Sequence, residues 1–137
     1  MARTFCLELM TPDGPVATSD AAVVVIPAAD GEIGILAGHA PLVALLGAGV
    51  LMFEDAAGKQ SKYWAAGGFA HVRENAVSIL PEECFTMDKL DAAVATQELD
   101  RAQAMSRGSY EASARRATAI QAAQKKLRLA QAMKKAQ

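Results

Sequence analysis

Few side chains in this sequence have the type and spacing that chemistry requires. His39 and His71 are its two imidazoles, and Cys6 and Cys84 its two thiols. His39 stands in Gly38-His39-Ala40-Pro41 with no Cys, Asp or Glu at ligand spacing, so neither a metal cage nor a nucleophile–base pair forms around it. His71 falls in the strand-like run Phe69 to Val72, and both imidazoles are assigned structural or interface roles. The cysteines are too few for a disulfide scaffold or a metal knuckle and read as small apolar residues in or near a core. Gly31-Glu32-Ile33-Gly34-Ile35-Leu36-Ala37-Gly38 is glycine-rich, but it lacks the Gly-Lys-Ser/Thr of a phosphate-cradling loop and precedes no clear helix. No catalytic residue and no metal ligand set is expected.

Charge carries a stronger signal. Up to Met87, ten acids face four bases, a balance of −6; from Asp88 onward five acids face ten bases, a balance of +5. After Glu111 there are seven bases and no acid: Arg115, Arg116, Lys125, Lys126, Arg128, Lys134 and Lys135. Such asymmetry suits a tail that meets an acidic partner, whether protein, nucleic acid or membrane. Tyr110 is the one aromatic ring beyond Phe85, which argues against single-stranded nucleic acid, whose bases need stacking platforms. A solvated helix face and docking on an acidic partner both fit the pattern.

The elements that must position these residues change character at the same boundary. With 137 residues, 52% hydrophobic and 21% charged, the chain has the size of one domain plus an appendage and is too apolar for general disorder. No apolar run reaches the 18 to 20 or so residues of a membrane span, and Met1-Ala2-Arg3-Thr4-Phe5 lacks the apolar core of a signal peptide, so a soluble intracellular protein is expected. All five prolines and all but one glycine lie before Met87. There Phe5, Leu7 and Leu9 alternate with Cys6, Glu8 and Met10, and strand-like runs follow at Val23–Ile26, Glu32–Leu36, Val50–Phe53, Lys62–Ala65, Phe69–Val72, Val77–Leu80 and Cys84–Met87. Thr11-Pro12-Asp13-Gly14 and Asp55-Ala56-Ala57-Gly58 are turn chemistry, and Gly67-Gly68 suggests a bulge or a close backbone approach. Residues 1–87 are therefore expected to form an all-β antiparallel sandwich or barrel, and residues 88–137 an α-helical hairpin. Asp88 is the expected N-cap of the first helix, with Leu90, Val94, Ala102 and Met105 on its apolar face. Ser109 is the expected cap of the second, whose stripe is Ile120, Ala123, Leu127 and Ala130. Both stripes are thin and alanine-rich, so the pair could come apart.

The stretch Gly31 to Leu42 resembles the Gly-Glu-x-Gly-Ile-Leu-Pro-Gly-His-Ala-Pro-Leu signature of the epsilon subunit of F-type ATP synthase. Thr11-Pro12-Asp13-Gly14, Gly67-Gly68-Phe69-Ala70-His71-Val72 and Asn75 to Leu80 are similar to further blocks of that family, and the resemblance covers the whole chain. It implies a non-catalytic rotor subunit of the central stalk, coupling c-ring rotation to ATP synthesis. Its implied partners are the gamma subunit, the c-ring, and the alpha and beta subunits of the catalytic head, with no nucleic acid among them. Gly31, Glu32, His39, Ala40 and Pro41 would then face the c-ring or gamma. The hairpin could lie folded or extend into the head and block hydrolysis, its seven bases drawn to an acidic segment of a beta subunit. The implied location is peripheral, at the cytoplasmic face of a bacterial inner membrane, with a plastid-encoded homologue as the alternative. Two departures stand out. Ala37 replaces the usual proline, and Val94 replaces the arginine of the Ile/Leu-Asp-x-x-Arg-Ala nucleotide motif that opens at Leu90-Asp91. A valine cannot pair with phosphate, so Asp91 is left without its partner and no cofactor is expected. The competing reading is a free-standing acidic β-domain with a basic helical tail, acting as a regulatory or nucleic-acid-binding module.

Overall fold

Phe5, Leu7 and Leu9 are buried while Cys6, Glu8 and Met10 are exposed, so strand β1 (Phe5–Thr11) has the period of two of a half-buried strand. In the computed structural model, which describes residues 3–135, nine further strands follow. These are β2 (Gly14–Ala21), β3 (Val23–Ala28), β4 (Gly31–Leu36), β5 (Leu42–Leu45), β6 (Ala48–Glu54), β7 (Gln60–Ala66), β8 (Phe69–Arg73), β9 (Ala76–Leu80) and β10 (Glu83–Thr86). They form two five-stranded sheets, β2-β1-β9-β8-β5 and β10-β7-β6-β3-β4. Every pairing between these strands is antiparallel except β1 with β9, where Leu7 stands opposite Val77. The inward sets of both sheets, among them Leu7, Leu9, Val24, Ile26, Leu51 and Ile79, close one apolar core. The expected β-sandwich is what forms.

The glycine pair does the work its sequence suggested. Gly68 has φ +84°, and a Cβ there would fall onto the carbonyl of Leu80, with Pro81 Cα at 2.9 Å. Any side chain at that point must push backbone aside. Leu46 N donates to Gly68 O at 2.9 Å and Gly47 N to Pro27 O at 2.8 Å, so this corner joins the end of β5 to the other sheet. The β6–β7 connection is a hairpin: Asp55 Oδ1 accepts from Ala57 N and Lys59 N, and Gly58 takes φ +86°.

Four details differ from expectation. β2 and β5 escape a periodicity search, because β2 is a polar edge strand and β5 is four apolar residues long. β3 runs through Pro27 to Ala28, where the sequence suggested a stop. Cys6 is exposed on the outward face of β1 and is no core residue, whereas Cys84 is half-buried.

The second compact unit, Asp88–Gln137, holds α1 (Ala92–Gln103) and α2 (Tyr110–Lys135), roughly 18 and 39 Å long at 1.5 Å per residue. The cap of α1 is Asp91, three residues later than expected: its Oδ1 accepts from Ala93 N at 2.8 Å and Val94 N at 3.4 Å. Asp88 lies instead in a 3₁₀ turn, Met87–Lys89. The later start changes the apolar face. Leu90 precedes the helix, Val94 and Met105 are exposed, and the buried positions are Ala95 and Ala102. Ser109 caps α2 as expected, its Oγ accepting from Ala112 N at 3.0 Å. Ala123 and Ala130 are buried, and Ile120 and Leu127 half-buried. Contacts between the helices pair Glu98 with Lys126 and Gln103 with Arg116, so partner numbers run in opposite directions and the helices are antiparallel.

Candidate functional site

The Gly31–Leu42 stretch occupies strand β4 and the loop beyond it. β4 is an edge strand, and Glu32, Gly34 and Leu36 share one of its faces by their spacing of two. All three are exposed, Leu36 to 62%. Past the strand, His39 N donates to Leu36 O at 3.1 Å, and Gly38 takes φ +84° to make that turn. The His39 Nδ1 lies 2.7 Å from Ala40 O, a group that can only accept, so Nδ1 carries the proton. His39, Ala40 and Pro41 are exposed, as is Gly31. Glu32 therefore sits in a strand opposite Pro27, not in the turn that holds His39. From Glu32 to Leu36 the strand rises about 13 Å. The two side chains belong to opposite ends of one exposed strip.

A second surface went unnoticed in the sequence. On the outer face of the other sheet, Leu45 stands opposite Phe69 and Val43 opposite His71. Val43, Leu45 and Phe69 are 66%, 71% and 45% exposed, an apolar row at the sheet edge. It adjoins a shallow cavity of about 360 Å³ lined by Phe69, Met10, Pro12, Leu80 and Pro81. The available signal was Leu42-Val43-Ala44-Leu45, an unbroken apolar run that puts apolar groups on both faces of one strand.

The seven bases divide into two groups. Arg115, Lys125, Arg128, Lys134 and Lys135 are exposed along α2. Arg116 is half-buried, its Nε and Nη2 donating to Gln103 O at 3.3 and 3.2 Å. Gln103 is the last residue of α1, where orphan carbonyls and the helix dipole favour a cation. Lys126 is buried and its Nζ lies 2.8 Å from Glu98 Oε2. The basic face is thus interrupted by two side chains engaged inside the hairpin. Asp91 spends its carboxylate on capping, and exposed Val94 offers no donor to a phosphate.

Of the thiols, Cys84 is pushed up from 9.0 to about 11, first by burial and then by the charge of Glu83, which keeps it protonated and unreactive at neutral pH. Tyr63 is also raised, chiefly by burial. Among the described residues no group of three or more His, Cys, Asp or Glu is placed to hold a metal ion.

Residues 4–86 match the family described as ATP synthase, delta/epsilon chain, beta-sandwich domain. The chain is similar to the ATP synthase epsilon chain of Rhizobium meliloti, at 34% identity over 109 residues that cover 80% of this chain and 81% of that one. It is also similar to the epsilon chain of Bacillus pumilus, at 37% identity over 84% of this chain and 87% of that one. Among solved structures it superposes on a chain of the Euglena gracilis mitochondrial ATP synthase OSCP/F1/c-ring assembly with TM-score 0.73 and 28% identity, covering 89% of this chain and 78% of that one.

Proposed function

Since the chain belongs to the ATP synthase delta/epsilon family, as an epsilon subunit of the F-type ATP synthase, we propose from that membership how its two units divide their tasks. An epsilon chain is a non-catalytic part of the central stalk in a membrane-associated complex. No helix among the described residues is long and apolar enough to cross a membrane. The reading is that partners hold it, peripherally, at the cytoplasmic face of a bacterial inner membrane.

The sandwich is the coupling unit. Its exposed strip from Glu32 through Leu36 to His39, Ala40 and Pro41 meets the polar loops of the c-ring. The apolar row of Val43, Leu45 and Phe69 meets the gamma subunit, where burying such a row supplies the affinity that a polar loop contact cannot. The observation that carries this reading is exposure: along the Gly31–Leu42 stretch, Glu32, Gly34, Leu36, His39, Ala40 and Pro41 all face solvent. A chain truncated after Met87 should still bind gamma and support synthesis.

The hairpin is the regulatory unit. Its five exposed bases suit an acidic segment of a beta subunit in the catalytic head, with attraction screened beyond about 8 to 10 Å at ordinary salt. Docked there, α2 obstructs rotation in the hydrolytic direction. The test compares ATP hydrolysis by whole complexes carrying the intact chain, a chain ending at Ser109, and an Arg115→Glu, Lys125→Glu, Arg128→Glu chain. Both altered complexes should hydrolyse faster while synthesis is largely retained. Equal hydrolysis in all three would remove the inhibitory role.

A further inference from the structure

Gly34 lies inside strand β4, where the two usual reasons for a glycine are both missing. Its φ is not positive, in contrast to Gly31 at +135° and Gly38 at +84°. Nor does the chain crowd it. Beyond its chain neighbours, a Cβ on Gly34 would meet no heavy atom within 4 Å, whereas one on Gly47 would lie 3.1 Å from Ala28 O. A glycine inside a strand still weakens it, because the unfolded backbone has more freedom to lose and no side chain packs on the neighbours. Gly34 thus costs β4 stability while serving neither a turn nor a tight packing contact.

What the glycine does shape is surface. β4 is an edge strand, and Gly34 is exposed between Glu32 and Leu36, each about 7 Å away along the strand. Opposite it across the ladder stands half-buried Val25. The result is a notch floored by bare backbone and flanked by Val25, with a carboxylate at one end and a 62%-exposed leucine at the other.

We propose that Gly34 determines the fit of this strip to its partner, its bare backbone admitting a loop of the c-ring to van der Waals distance. The inference rests on the reading that the strip meets the c-ring, and it specifies the chemistry of the ring loop. β4 carries one carboxylate and no base. The loop that fits supplies a cation or an N–H donor to Glu32 and apolar surface to Leu36. Between them a turn of main chain or small side chains seats over Gly34. A partner atom touching the Gly34 Cα, at about 3.5 to 4.0 Å, is displaced by any Cβ placed there. Charge selects the loop, and the missing side chain lets it close.

The test adds side chains of increasing size, Gly34→Ala and Gly34→Val, and separates fold from contact. In the free full-length chain the unfolding temperature should stay unchanged or rise by about 2 to 6 °C, because the space is open and the glycine's entropic cost is relieved. In whole complexes, ion-driven ATP synthesis should fall with Gly34→Ala and fall further with Gly34→Val. Crosslinking of Glu32→Cys to a cysteine in the c-ring loop should drop about threefold when Gly34→Ala is added and at least about tenfold with Gly34→Val. Full crosslinking and full synthesis with Gly34→Val overturn the proposal. So does a lowered unfolding temperature, which would give the glycine to the fold. If Glu32→Cys fails to crosslink even with Gly34 in place, the ring reading is what fails. Rebinding of the free chain to complexes depleted of it then decides the role of Gly34: weaker rebinding of Gly34→Val supports a bare contact, and equal rebinding refutes it.

Discussion

The sandwich buries Leu7, Leu9, Val24, Ile26, Leu51 and Ile79 almost completely, whereas the most buried positions of the hairpin are four alanines and a lysine. In the first unit, side-chain area and ladder hydrogen bonds between ten strands act together, and no single contact decides the outcome. In the second, area is scarce, so helix caps and a few charged contacts decide whether the helices stay paired. The contrast suits the proposed division of tasks, in which the sandwich transmits torque without yielding and the hairpin changes shape. It also ranks the consequences of substitution.

The largest effect belongs to the sandwich. Leu9→Ala should destabilise it by about 2 to 5 kcal/mol, the range for removing a fully buried leucine from a packed core. Thermal unfolding followed by tryptophan fluorescence of Trp64 should shift down by at least about 8 °C. Amide protection in α2 should be much less affected. If protection in α2 fell in parallel, the two units would not differ as described.

Asp91→Ala comes next. Loss of the cap leaves the Ala93 and Val94 amides unpaired and should cost about 1 kcal/mol, seen as faster exchange over the first turn of α1. Because the carboxylate already serves that purpose and Val94 supplies no charge, calorimetric titration of ATP into the free chain should give no isotherm. A clear isotherm would show that other residues compensate for Val94.

A smaller effect follows from pH. The folded chain holds the Cys84 proton up to about pH 11, while an unfolded thiol releases it near 9.0. Between those values the unfolded state binds fewer protons, so the sandwich should lose stability as pH rises from 9 to 11 and be indifferent to this group below 9. Cys84 is only half-buried, so solvent moderates the loss to a shift of a few degrees in unfolding temperature. Cys84→Ala should flatten that decline, leaving a remnant from Tyr63, whose pKa is raised in the same direction. An unchanged decline in Cys84→Ala would assign it elsewhere.

Much of this organisation is visible in the residues themselves. Phe5, Leu7 and Leu9 announce a strand by alternation, Gly67-Gly68 a close approach, and Gly31 to Leu42 a family. What stayed hidden has physical causes. β2 is a polar edge strand with little alternation to detect. Asp88 and Asp91 are equally good caps locally, and the 3₁₀ turn after β10 is what selects the second. Lys126 looks like one base among seven because its partner, Glu98, is 28 residues away and no local pattern links them. By contrast, the separation of Glu32 from His39 follows from the strand-like run Glu32–Leu36, which β4 reproduces.

That separation yields the smallest stability effect and the sharpest question about the ring contact. Glu32 and His39 are exposed, and the Nδ1 bond of His39 goes to its own neighbour's carbonyl. Glu32→Ala and His39→Ala should each leave sandwich stability within about 0.5 kcal/mol, as for other surface sites, while weakening coupling. If His39→Ala instead melted the sandwich, the residue would belong to the fold and not to an interface. Extent can be read separately, because Glu32 stands in β4 and His39 in the turn beyond it. Glu32→Cys and His39→Cys, each paired with a cysteine in the c-ring loop, should both crosslink. Crosslinking at one end alone would shorten the contact to that end and leave the remainder of β4 to gamma.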